Sequence, residues 1–338
     1  MTRARAADRG LLHRGECRYL SGGLKTQRIS FEPGLEATIH SHDILIDGRG
    51  TAAWTMVTQG LSSVGQSEVA FTIRRPWWPR SFPAGVLKYV PVLKHFASEG
   101  NVVRDGDISG YRAPGPFEFG EFVGVAFVTA EAIAGIELPR AALAGVFLTE
   151  GELAMAVHCS VRRVLHRLGK EARYFPTPYW SDPSRASVYS TADVEASLLA
   201  KFSRAKLEQA TATLTGEVME LSLPRSVGPK IAEHLEQGQA IAVVPGRSPG
   251  AVAALVWSPG QTEAEAIFAE GARPTAIAAT FVGLVPNEAP SDEIRFMEDG
   301  YAVVLSSATT ARLIETLKSG GALPIGKGES RVLRVVVS

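Results

Sequence analysis

Through most of this chain hydrophobic and polar residues alternate with a period of two, and helical spacing interrupts the alternation in only a few places. Leu35–His40 and Ile44–Asp47 read as strands on either side of a short polar turn. Ala52–Thr58 and Ser67–Arg74 read as longer strands, rich in β-branched and aromatic residues and separated by glycine-bearing breaks. Val86, Val90, Leu93 and Ala97 then recur every three or four residues, which predicts a helix over 82–97 that Pro91 should kink or split. Glu121–Thr129 and Ala142–Leu148 follow as apolar strands.

The strongest helical pattern comes next. Thr149 and Glu152 have the spacing of a capping box. Leu153, Val157, Val161, Val164 and Leu168 form one apolar stripe, with Arg162, Arg163, His166, Arg167 and Lys170 mostly off it. The cations gather toward the C-terminal end, where the helix dipole favours them, and Gly169 is placed to end the helix. The run Tyr174–Trp180, interrupted by Pro176 and Pro178, predicts a packed extended loop.

Beyond residue 190 the alternation resumes. Thr211–Leu223 reads as one long strand, followed by a short helix at Pro229–Leu235 and strands at Gln239–Val244, Ala251–Trp257, Ala276–Leu284, Ile294–Met297 and Tyr301–Ser306. Thr309–Lys318 is a second good helix, with Ser307 as candidate cap and Gly320 just past its end. Arg331–Val337 closes the chain as a β-branched strand. Strands outnumber helices without regular βαβα alternation, so the expected class is α+β: two strand-rich lobes with mixed or antiparallel sheets and a few packed helices. The expected organisation is a basic, disordered arm over 1–30, one lobe over 31–195 and a second over 196–338.

Composition narrows the function more than the fold. The 338 residues carry 35 Lys plus Arg and 35 Asp plus Glu, so no overall field draws the chain to nucleic acid. The two cysteines, Cys17 and Cys159, form neither a disulfide framework nor a zinc spacing. No secretory signal and no apolar run long enough to span a bilayer is present in the sequence, and the expected compartment is a reducing cytoplasm. Heavy Ala, Gly and Arg usage points to a GC-rich bacterial gene.

Candidate chemistry is thin. Gly321 to Lys327 has the glycine and lysine spacing of a phosphate loop, but Gly328 replaces the hydroxyl residue and a strand follows where a helix is required. It is expected to be a turn. His40 and His42 share one strand face and could be two ligands of a metal-dependent enzyme, with no third ligand indicated. His158 and His166 lie about 12 Å apart along a helix, too far for one ion, and are expected at the surface. Cys159 and His158 point about 100° apart and make no dyad. No catalytic, metal or cofactor residue is assigned.

Two stretches have the composition of contact surfaces. Arg74, Arg75, Trp77, Trp78 and Arg80 combine the residue types of interface hot spots, although the indoles could equally pack inside. Arg162, Arg163 and Arg167 offer a basic helix face as a second surface.

Gly60, Leu61, Val64, Gly65, Gln66 and Glu68, preceded by Trp54, resemble a signature in the C-terminal domain of the Smad-anchor-for-receptor-activation and endofin family of FYVE-finger proteins. Gly100–Val103, Gly124–Thr129, Leu165–Pro178, Ala279–Gly283 and Met297–Tyr301 are similar in the same order, over about residues 35–330. The resemblance implies a protein–protein contact domain without established enzymatic activity. The eight ligands of a FYVE finger are missing, so endosomal targeting is not implied. Physically, Gly60 and Gly65 suit a bent connection, and Gln66 and Glu68 can satisfy its backbone groups. The expected function is a non-enzymatic adaptor or regulatory protein, in a bacterial setting an immunity-type protein, with a protein partner and no nucleic acid or membrane span.

Overall fold

The computed structural model describes residues 25–338 apart from 47–48, 77–80, 111–116, 118, 131–132, 134, 176, 217, 247–249, 259–260, 262–263, 269–274, 298–299 and 328–329, with backbone alone at 296, 327 and 330–332. Among the described residues six helices and twenty strands form an α+β fold, as the patterning predicts. They fall into two compact units.

The amino-terminal unit holds described residues 25–157 and 177–191. Its strands are β1 (Lys25–Glu32), β2 (Leu35–Ile46), β3 (Arg49–Gln59), β4 (Val69–Arg74), β5 (Ile108–Gly110), β6 (Phe122–Thr129), β7 (Leu143–Thr149) and β8 (Trp180–Ser181). They form one sheet in the order β1-β2-β3-β4-β7-β6-β5, with β8 beside β4. The first four strands are an antiparallel meander, and β4 runs parallel to β7. Period-two alternation delivers Leu35, Ala37, Ile39, Trp54, Met56, Phe71 and Ile73 to one face. Helix α1 (Ala84–Ser98) covers that face with Val86, Tyr89, Val90 and Leu93. Phe117, Phe119 and Phe147 add edge-to-face ring contacts with centroids 4.8 Å apart for Phe117–Phe147 and for Phe119–Phe147.

Three expectations need correction here. Ser41–Asp43 is not a turn: β2 runs unbroken because Ser41, His42 and Asp43 pair with Trp54, Ala53 and Ala52 of the long β3. Lys25–Ser30, within the stretch expected to be disordered, belongs to a strand, because Ile29 and Phe31 pack on the core while the backbone joins β2. Pro91 neither splits nor ends α1. It lies on the half-exposed side, where water can hydrate the carbonyl left without an amide partner, while the buried stripe stays continuous.

The carboxy-terminal unit holds the described residues within 158–175 and 192–338. A seven-stranded sheet and a five-stranded sheet contribute to one core that includes Leu221, Val243, Trp257, Leu284, Val303 and Val335. The first contains β10 (Thr211–Thr215), β11 (Val218–Leu223), β13 (Ala253–Val256), β14 (Glu265–Phe268), β15 (Ile277–Ala278), β19 (Gly321–Lys327) and β20 (Ser330–Val337). The second contains β9 (Ser203–Leu207), β12 (Ile241–Pro245), β16 (Val282–Val285), β17 (Glu293–Met297) and β18 (Gly300–Val304). Helices α5 (Gly228–Glu236) and α6 (Ser307–Ser319) pack into the same core through Ile231, Leu235, Leu313 and Leu317.

The long expected strand over 211–223 is a hairpin, reversed at Gly216 with φ 63°. Likewise 276–284 divides into β15 and β16, which belong to different sheets. Gly321–Lys327 is not a turn but an edge strand paired along β20, the position where a sheet tolerates Pro324. Helix α6 is capped by Ser306, one residue before the expected cap; its hydroxyl accepts the Thr309 amide.

The helix expected from Thr149 to Gly169 is two helices, α2 (Glu150–His158) and α3 (Val161–Ala172). Ser160 is extended and caps α3 by accepting the Arg163 amide, so the chain restarts rather than continues. Half of the expected capping box forms: Glu152 Oε2 accepts the Thr149 amide at 3.0 Å.

Candidate functional site

The residues of the 60–69 signature form one local device. Leu61–Val64 is a single 3-10 turn held between Gly60, φ 109°, and Gly65, φ 78°. A Cβ at Gly60 would stand 1.9 Å from the Gly34 carbonyl oxygen, so this glycine is required by close approach to the β1–β2 turn as well as by its φ. Glu68 points back under the turn. Its Oε1 accepts the amides of Gly60 at 2.9 Å and Ser62 at 3.1 Å, and its Oε2 accepts the Thr58 hydroxyl at 2.8 Å. Gln66 ties the loop to another segment: Val103 donates its amide to Oε1 at 2.8 Å, and Nε2 donates to the carbonyls of Ser67 and Val103. Leu61 is buried and Val64 half-buried. Both polar residues thus satisfy backbone groups that the irregular loop would otherwise leave open.

Above this floor lies an open depression of about 880 Å³ in the amino-terminal unit. Thr38 and His40 of β2, Gln59, Ser62 and Ser67 line it, together with Glu137, Pro139 and Arg140 from the approach to β7. Arg140 is held in a tight turn, closed by the Ala142 amide on the Pro139 carbonyl at 3.1 Å, with Ala141 at φ 58°. The Leu143 amide anchors that turn on the Glu68 carbonyl at 2.8 Å.

His40 and His42 share a face of β2, as the spacing requires. Burial pushes both imidazoles below their ordinary value, and at His42 the neighbouring His40 lowers it further. His42 Nε2 lies 2.7 Å from the Thr55 hydroxyl, which is 2.8 Å from that of Thr72, a polar chain across three adjacent strands. Among the described residues no group of three or more His, Cys, Asp and Glu is arranged to hold a metal ion.

Of the arginine–tryptophan stretch, Arg74 and Arg75 are exposed at the end of β4, with Arg74 paired to Asp182. Trp77, Trp78 and Arg80 lie outside the described residues. Helix α3 differs from the expected amphipathic cylinder, since it is buried over most of its circumference. Arg163 is 5% exposed and His166 8%, so His166 is not the surface histidine its spacing suggested. Arg162 and Arg167 are half-buried. Arg167 binds the Ser258 hydroxyl and pairs with Glu171, and Lys170 reaches Ser258 at 2.9 Å and Glu265 at 2.6 Å. His158 is exposed, and Cys159 is a fully buried thiol facing the Ser197 hydroxyl at 3.4 Å; Cys17 lies outside the described residues.

One polar feature escaped the sequence reading. Glu152, fully buried, forms a bidentate pair with Arg185, with the second contact at 2.6 Å from Nη2 to Oε2, and also accepts the Val188 amide. Arg185 reaches the Phe147 carbonyl and lies over the Phe122 ring. The two charges are 33 residues apart, and no local pattern links them. In the other unit Asp292 plays a similar part, accepting the Ser306 amide and the Thr309 hydroxyl at the start of α6.

These contacts define a strand-rich α+β protein whose marked carboxylates and amides are committed to its own loops. Residues 138–332 match the family described as Smad anchor for receptor activation-like, C-terminal, and the chain belongs to that family. The match begins at Leu138, just before the turn that carries Arg140, so the 60–69 signature lies outside the matched span. No curated protein matches the chain. Among the described residues no helix is long and apolar enough to cross a membrane.

Proposed function

We propose that this chain works by binding another protein, as an adaptor or regulatory module, and not by catalysis. The observation that carries this reading is its membership, over 138–332, of the family described as Smad anchor for receptor activation-like, C-terminal. The geometry of the signature agrees with it. Glu68 and Gln66, the polar residues most open to a catalytic reading, have their oxygens occupied by loop donors. The first contact surface is the stretch 74–80, where exposed Arg74 and Arg75 lead into Trp77, Trp78 and Arg80. Arg162 and Arg167 of α3 come second, because they keep part of their surface open whereas Arg163 does not. A cytoplasmic, bacterial setting and an immunity-type role are the narrower form of the proposal.

The test is an affinity pull-down from the source cells. It should return one dominant stoichiometric partner, weakened by Trp77→Ala and by Trp78→Ala without loss of folding. Recovery of no partner, together with stoichiometric metal that His40→Ala removes, would replace this reading with a metal-dependent one.

A further inference from the structure

The depression above the 60–68 loop has a built floor and an unused rim. Thr58, Gln66 and Glu68 are fully engaged in holding the loop, so the walls are ordered before anything binds, which lowers the cost of binding. By contrast, the side chains of Thr38, Gln59, Ser62 and Ser67 make no hydrogen bond with the described residues, and Arg140 makes no ion pair with them. The Nδ1 atom of His40 is buried without a partner. A buried imidazole nitrogen left unsatisfied is costly.

The chemistry of the rim selects the occupant. Among the described lining residues Arg140 is the one Lys or Arg, against the carboxylates of Glu68 and Glu137. That balance rejects a phosphate-rich ligand, which demands an excess of cations. Neutral hydroxyl, amide and imidazole groups able to donate and accept match the alternating amide and carbonyl groups of an extended backbone. A volume of about 880 Å³, open to solvent, has room for a few residues of extended chain.

We propose that this depression receives a short extended segment of a partner protein, whose acidic side chain pairs with Arg140 and whose basic side chain faces Glu137. The inference rests on the protein-binding reading above and adds a site and a ligand chemistry to it. Panning a random heptapeptide display library against the immobilised full chain tests it without knowledge of the partner. Enriched peptides, synthesised with blocked termini, are then titrated by fluorescence anisotropy against wild type, Arg140→Glu and Gln59→Ala. The expected peptides share an acidic residue and bind Arg140→Glu about fivefold more weakly, the size of an exposed ion pair. Replacing that acid by lysine should restore binding to Arg140→Glu, and the amide signals of Ser62 and Ser67 should shift on binding. Both variants change exposed side chains and should keep the wild-type melting temperature. Failure to enrich any peptide over bare support, or equal binding to Arg140→Glu, overturns the proposal. A pull-down partner that depends on Trp77 and Trp78, obtained alongside failed panning, leaves the protein-binding reading standing and removes only this site.

Discussion

His166 should make this protein acid-sensitive in a way that a single substitution abolishes. The imidazole sits on α3, 8% exposed, with its Nδ1 buried and unpartnered. Burial, reinforced by the charge of Arg162, pushes its pKa down from 6.5 to about 3. The folded state therefore holds it neutral while the unfolded state protonates it normally. Between these two values the unfolded chain binds more protons, so stability is complete above pH 6.5 and declines as pH falls toward 3. At pH 5, about 1.5 units below the ordinary value, 1.36 kcal/mol per unit gives a loss of about 2 kcal/mol. His166→Leu removes the titrating group and keeps an apolar side chain of similar bulk. Urea denaturation of both proteins at pH 7 and pH 5 isolates the effect, since every other titrating group is shared. The wild type should lose about 2 kcal/mol more than the variant over that interval. Equal losses would refute the claim that the native state keeps this imidazole uncharged.

Two further expectations concern polar and backbone features of the amino-terminal unit. Glu152→Ala leaves the half-buried Arg185 without its carboxylate and the Thr149 and Val188 amides without their acceptor, and should destabilise by about 3 kcal/mol in chemical denaturation, far more than removal of an exposed pair such as Arg295–Glu293. The two glycines of the signature should separate cleanly: Gly65→Ala, with open space around its Cβ, costs about 1–2 kcal/mol for its left-handed φ. Gly60→Ala must also displace the Gly34 carbonyl, so its melting temperature should fall well below that of Gly65→Ala, and similar values would sink the close-approach argument.

Alternation and helical spacing were enough to locate most elements, because a residue's neighbours two or four positions away decide which face it presents. The core strands β3, β4, β6 and β7 and helices α1, α5 and α6 were legible in this way. Register breaks were less so. Gly216 and Ser160 each redirect the chain with one residue, inside apolar patterns that otherwise read as continuous. The candidate site was half legible. Gln66 and Glu68 stood out as loop-holding residues, but Val103 as the partner of Gln66, and the shared depression lined by Arg140 and His40, depend on tertiary packing.

Local chemistry in this chain is thus written in short range: which segments pair as strands, where glycine must stand, which hydroxyl begins a helix. Pairings such as Glu152 with Arg185, and the burial that holds His166 neutral, arise only when distant segments close over one another. Desolvation belongs to the packed environment and not to any residue taken alone, so no spacing along the chain could announce it.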